Sequence, residues 1–138
     1  MGTKQISVFL KNDAGRLAEV TQCLADAKIN LCAISIADTA EFGILRIIVD
    51  KQKEAVGTLM NAGFTVRETD VLVTEISDVP GALAKVMKLF REQGVNIEYL
   101  YPSLKGWEGR AAVIFKLDNF ESGLKVINEN GIKLLEKL

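Results

Sequence analysis

The chain has 138 residues, enough for one ordinary domain or two very small ones. Apolar residues make up 49% and charged residues 25%, a globular composition, and two prolines without any Ser/Gly tract exclude a disordered or collagen-like chain. Seventeen basic residues against eighteen acidic ones leave a net charge of −1, which supplies no electrostatic footprint for nucleic acid.

The opening residues, Met1 to Gln5, lead into a strand-like run too short for a signal peptide, and no apolar run approaches the roughly 20 residues of a membrane helix. Both observations point to the cytoplasm. Cys23 and Cys32 fit no zinc or redox spacing and are expected as two free, buried thiols. Histidine is absent, which removes the commonest general base and metal ligand. No nucleophile–base pair and no P-loop is visible, so catalytic residues, a metal site and a cofactor are not expected.

In chain order, Ile6 to Leu10 reads as a strand. Asn12 and Asp13 are candidate caps for a helix whose stripe is Leu17, Val20 and Leu24. Lys28 to Asn30 ends that helix. Leu31 to Ala37 and Gly43 to Val49 read as two strands joined by a turn, followed by a helix carrying Ala55, Val56, Leu59 and Met60. Gly63 stops it, and Phe64 to Val66 is a short closing strand. The same order then recurs. Val71 to Ile76 is a strand, and Ser77 and Asp78 are candidate caps with Pro80 at the helix entry. A helix follows with the stripe Leu83, Val86, Met87 and Phe90, ended by Gly94. Ile97 to Tyr101 and Ala111 to Leu117 are strands flanking a hairpin loop that holds Trp107. The last helix carries Phe120, Leu124 and Ile127, Gly131 stops it, and Ile132 to Leu135 closes the copy.

The residues repeat as well as the pattern. At an offset of 66, Gly15, Leu17, Ala18 and Val20 fall on Gly81, Leu83, Ala84 and Val86, and Asn30 falls on Asn96. At an offset of 68, Asp50 falls on Asp118 and Gly63 on Gly131, so the second copy holds two extra residues in its middle. The chain therefore divides into residues 1–68 and 69–138, with charges shared evenly between the halves. The expected class is α+β: two ferredoxin-like βαββαβ domains, each an antiparallel sheet with both helices on one face, strands one and three central and strands two and four at the edges. An exposed edge strand is also a surface for association.

Two features carry candidate chemistry in both copies. The loop Asn12-Asp13-Ala14-Gly15, like Ser77-Asp78-Val79-Pro80-Gly81, puts a glycine before a helix N-terminus, where unpaired N–H groups can receive a carboxylate. Plain helix capping by Asn12, Ser77 and Asp78 explains the same residues. Asn30 and Asn96 stand at a helix end, either as left-handed terminators or as hydrogen-bonding partners for a ligand.

The stretch Asp78-Val79-Pro80-Gly81-Ala82-Leu83-Ala84-Lys85-Val86, followed by Gly94-Val95-Asn96-Ile97, resembles the signature of the ACT domain, and the first copy resembles it from Asn12 to Leu31. The resemblance implies a regulatory module that binds an amino acid where the first loop of one domain meets the second strand of its neighbour. The ligand-binding residues it implies are Asn12, Asp13, Gly15, Asn30 and Leu31 in the first copy and Asp78, Gly81, Asn96 and Ile97 in the second. Copy one has Ala14 in place of Pro80 and Asn12 in place of Asp78, so the two sites are not expected to be equivalent. The resemblance further implies a homodimer through these domains and a separate metabolic enzyme as partner, with no nucleic acid and no membrane. The regulatory subunits of acetolactate synthase are similar, and a ligand-free assembly module is the alternative.

Trp107 is expected to cover the hairpin or meet a partner. Tyr99 and Tyr101 alternate along a strand and share a face.

Overall fold

The computed structural model describes residues 2–11, 13–38 and 42–138. They form an α+β chain that divides into two compact units, Lys4–Thr69 and a second one made of Asp70–Leu138 with Gly2 and Thr3.

In the first unit β1 (Thr3–Lys11), α1 (Arg16–Asp26), β2 (Leu31–Asp38), β3 (Phe42–Val49) and α2 (Gln52–Asn61) follow in order. The sheet runs β2-β3-β1 with β4 (Thr65–Ser77) beside β1. β3 pairs antiparallel with both neighbours, Ile47 standing opposite Ile6 on one side and Ile34 on the other. Alternation along the strands puts Ile6, Val8, Leu10, Leu45, Ile47 and Val49 on one face. There they pack against Val20 and Leu24 of α1 and Ala55 and Leu59 of α2. Leu17, expected in the α1 stripe, is 43% exposed, because it stands in the first turn beyond the rim of that core. The turn expected between β2 and β3 falls on residues 39–41, outside the described residues.

The second unit repeats the plan with α3 (Ala82–Glu92), β5 (Ile97–Pro102), β6 (Arg110–Leu117) and α4 (Phe120–Glu129), and a sheet ordered β4-β6-β5. Leu72 and Ile76, with Val113, Phe115 and Leu117, meet Val86 and Phe90 of α3 and Val126 and Ile127 of α4. The Phe90 and Phe115 rings meet edge to face at 5.5 Å.

Two expectations about strands are corrected. The closing strand of copy one and the opening strand of copy two are one continuous strand, β4. Arg67-Glu68-Thr69-Asp70 contains neither glycine nor proline, so nothing turns the backbone between them. The closing segment of copy two is only a bridge between Leu134 and Thr74. It makes two backbone hydrogen bonds, Glu75 N–H to Lys133 carbonyl (3.0 Å) and Leu135 N–H to Val73 carbonyl (2.7 Å), too few for a regular ladder.

All four helices end alike. Lys28, Gly63, Gly94 and Gly131 have φ of 59°, 90°, 68° and 64°, and the next residue donates back to the carbonyl five positions earlier, as in Ile29 to Leu24 and Val95 to Phe90, both 2.9 Å. Lys28 holds a conformation its counterpart Gly94 adopts without strain.

α4 lies close to β6 because Gly123 faces the sheet, where an added Cβ would stand 2.0 Å from Cδ1 of the buried Leu117. The corresponding residue of α2 is the buried Ala55. Gly123→Ala is therefore expected to destabilise the protein by about 1–2 kcal/mol, overpacking exceeding the gain of about 1 kcal/mol in helix propensity. Urea unfolding checks this; a more stable variant would show that α4 can lift away freely.

Candidate functional site

The two helix entries match bond for bond. In the first loop the Asp13 N–H donates to the Lys11 carbonyl (2.8 Å) and the Arg16 N–H to the Asp13 carbonyl (3.4 Å). In the second, Val79 N–H donates to Ser77 (2.9 Å) and Ala82 N–H to Val79 (3.3 Å). Asp78 N–H adds a bond to the Gly109 carbonyl (2.9 Å), tying this loop to the β5–β6 connection. The capping expectation is corrected for Asp13, Ser77 and Asp78, while Asn12 lies outside the described residues. The residues preceding α1 and α3 are Gly15 and Gly81, at φ 87° and 86°, and among the described residues no side chain caps either helix. A left-handed cap is glycine's conformation, and glycine has no side chain to offer the first-turn N–H groups. By contrast α4 is capped by Asn119, whose side chain accepts from the Ser122 N–H at 3.0 Å. No atom lies within 4 Å of a Cβ built on Gly15 or Gly81, so backbone conformation, not crowding within the unit, calls for glycine.

Each helix entry borders a cleft, on a different side in the two units. In the second unit a cleft of about 580 Å³ runs along Ser77, Pro80, Gly81, Ala82 and Lys85 to Ile132 and Lys133. The entry of α1 borders a different, smaller cleft of about 140 Å³ on its β2 and β3 side, lined by Leu10, Asp13, Arg16, Leu17, Ile36 and Gly43. In the first unit Arg16 stands at the place that matches the second unit's cleft. It occupies the position of Ala82, its guanidinium lies 5.5 Å above the Phe64 ring, and it pairs with Glu19 at 2.8 Å. Phe64 stands where the second unit has Ile132. The side chain thus spans the space that Ala82 leaves open, and its Nε is buried without a partner among the described residues.

Asn30 and Asn96 are not left-handed; that conformation falls two residues earlier, at Lys28 and Gly94. Their backbones are clasped by aspartates. Asn30 N–H donates to Asp50 Oδ1 (2.9 Å) and Asp50 N–H to the Asn30 carbonyl (3.2 Å). Asn96 and Asp118 make the same two bonds, both at 3.0 Å. Both side chains stand on exposed residues. Leu31 and Ile97 are half-buried at the starts of β2 and β5, where each ladder shifts register by one residue. Within one unit the glycine and the asparagine sit at opposite ends of an 11-residue helix, about 16 Å apart at 1.5 Å per residue. The structure does not bring them together inside a unit.

Tyr99 and Tyr101 stack on one face of β5 with centroids 6.4 Å apart. Trp107 bridges Arg110 in the β5–β6 connection and is 40% exposed. Cys23 and Cys32 are free but half-buried instead of buried, and burial with the nearby Asp50 carboxylate raises the Cys32 thiol pKa. Among the described residues no cluster of three or more Cys, Asp or Glu is placed to hold a metal, and no helix is long and apolar enough to cross a membrane. Arg16, Asp50 and Asp118 were not singled out from sequence for a role; setting Arg16 against Ala82 in the repeat is the signal that exposes the first.

The fold and the paired helix entries define a tandem of ferredoxin-like domains. The family model described as an ACT domain pair matches residues 1–137, and the chain belongs to that family. Protein BT0572 from Bacteroides thetaiotaomicron is 42% identical, with a TM-score of 0.92 over 98% of this chain and 92% of that one. The regulatory subunit of aspartate kinase from Thermus thermophilus is 23% identical, with a TM-score of 0.66 over 94% and 93% of the two chains. The corresponding subunit from Thermus flavus is 21% identical, with a TM-score of 0.63 over 94% and 92%. These last two share the fold. No functionally curated protein matches the sequence.

The clasps separate backbone from side-chain roles. Asp118→Ala is expected to lose about 1–2 kcal/mol, one charge-assisted bond to an amide, whereas Asn96→Ala, which keeps both backbone bonds, stays within about 0.5 kcal/mol. Chemical denaturation checks the pair; equal losses would give the Asn96 side chain a structural role.

Proposed function

We propose that this protein is a regulatory sensor that binds an amino acid and modulates a separate metabolic enzyme, without catalysing a reaction itself. The observation that carries the reading is the glycine-capped helix entry, repeated in both units, in which no side chain among the described residues occupies the first-turn N–H groups beside a cleft. Such a terminus is electrostatically suited to a carboxylate. The ligand's amine is then met by Asn30 or Asn96 from the edge strand of a neighbouring ACT unit, because the two features lie too far apart within one. Family membership supports this arrangement, and the shared fold of the aspartate kinase regulatory subunits supports an enzyme as the regulated partner. Regulation follows if one arrangement of the associated units binds the amino acid better than another.

A thermal-shift screen of the twenty amino acids at millimolar concentration tests the reading. A ligand at 100 times its Kd stabilises by about 2.7 kcal/mol, and the shift should shrink in Asn96→Ala. Silence across the panel would favour a ligand-free assembly module.

A further inference from the structure

The two units differ in charge at one matched place. In the second unit Glu75 is 7% exposed at its side chain, its Oε2 accepting from Arg110 Nη1 at 2.7 Å and its Oε1 lying 3.7 Å from Lys133 Nζ. Lys85 of α3 lines the same cleft and makes no ion pair among the described residues. Three cations thus face one carboxylate, a surplus of two positive charges. The strand registers identify the counterparts. Glu75 lies opposite Ala112 and Ser77 opposite Arg110, just as Phe9 lies opposite Ile44 and Lys11 opposite Phe42. Glu75 and Arg110 therefore correspond to Phe9 and Phe42, both exposed, and the repeat places Glu19 at Lys85 and Thr65 at Lys133. All four charges are absent from the first unit, where Arg16 stands at the place that matches this cleft.

A surplus of charge in a half-enclosed cleft is lowered in energy by an anion, and Arg110 uses one of its five donors on Glu75. We infer that the second unit's cleft selects a small acidic metabolite, one carrying a second carboxylate or a phosphate, and that the first unit's cleft does not bind it. Lys85, Arg110 and Lys133 set this preference. The inference rests on the sensor reading above and adds to it the charge of the ligand and the unit that holds it.

The test is calorimetric titration of the full chain at low salt with aspartate, glutamate, inorganic phosphate, threonine and lysine, repeated with Lys85→Gln and Lys133→Gln. Both lysines are exposed, so neither change threatens the fold. Binding of aspartate, glutamate or phosphate is expected at least about 10-fold tighter than that of threonine or lysine, weakened several-fold in each variant and by added salt. Phosphate displacing the bound amino acid points to a phosphorylated ligand; failure to displace it points to a second carboxylate. Tighter binding of threonine or lysine, or acid binding unchanged in both variants, overturns the inference and leaves the sensor reading standing. No binding by any probe overturns the inference, and only silence of the complete amino-acid panel counts against the sensor reading itself.

Discussion

The backbone of two residues, Gly15 and Gly81, organises the helix-entry end of each unit. A helix entered through glycine has no cap side chain at that position, so beyond the Arg16 and Ala82 N–H groups, which donate to backbone carbonyls, the first-turn N–H groups have no side-chain partner among the described residues. In a protein selected for stability alone, an Asp or Ser cap at that position contributes about 1 kcal/mol. Both copies forgo it, while α4 of the same chain keeps its Asn119 cap. An uncapped, solvent-facing helix entry beside a cleft is the local arrangement from which an anion-binding role follows. The Asp50 and Asp118 clasps at the far end of the helices hold the start of the edge strands in a fixed relation to it.

Duplication preserved this frame and let its surroundings diverge. Loop bonds, helix ends, aspartate clasps and register shifts agree between the units, because each satisfies backbone groups that every copy must satisfy. The side chains around the clefts are under no such constraint. One unit fills its space with Arg16 laid over Phe64, and the other leaves it open beside Ala82 and lines it with charge. A pair of this kind has room to divide binding and association between its members.

Much of this was legible in the residues. Apolar spacing and left-handed glycines marked the helices, and the offset between Gly15-x-Leu17 and Gly81-x-Leu83 marked the duplication. Other features depend on the path of the chain. Asp78 is an ordinary capping type, and only the conformation of Gly81 shows that it does not cap. Asn30 and Asn96 announced themselves as side chains, yet their firm bonds are those of the backbone. The Glu75–Arg110 pair joins residues 35 apart in sequence, which only the β4–β6 register reveals. The continuity of β4 could have been read from the lack of glycine or proline between Val66 and Val71.

Where a ligand sits distinguishes a sensor that uses the helix entries from one that does not. Amide chemical-shift mapping of the isotopically labelled chain, titrated with an amino acid that stabilises it, reports this directly. The predicted result is that the largest shifts fall on Gly81, Ala82, Leu83 and Ala84 at the entry of α3 and on Asn96 and Ile97 at the start of β5, with Gly15 to Ala18 moving less. Shifts that leave the entry of α3 untouched, or centre on the β5–β6 connection around Trp107, would contradict it.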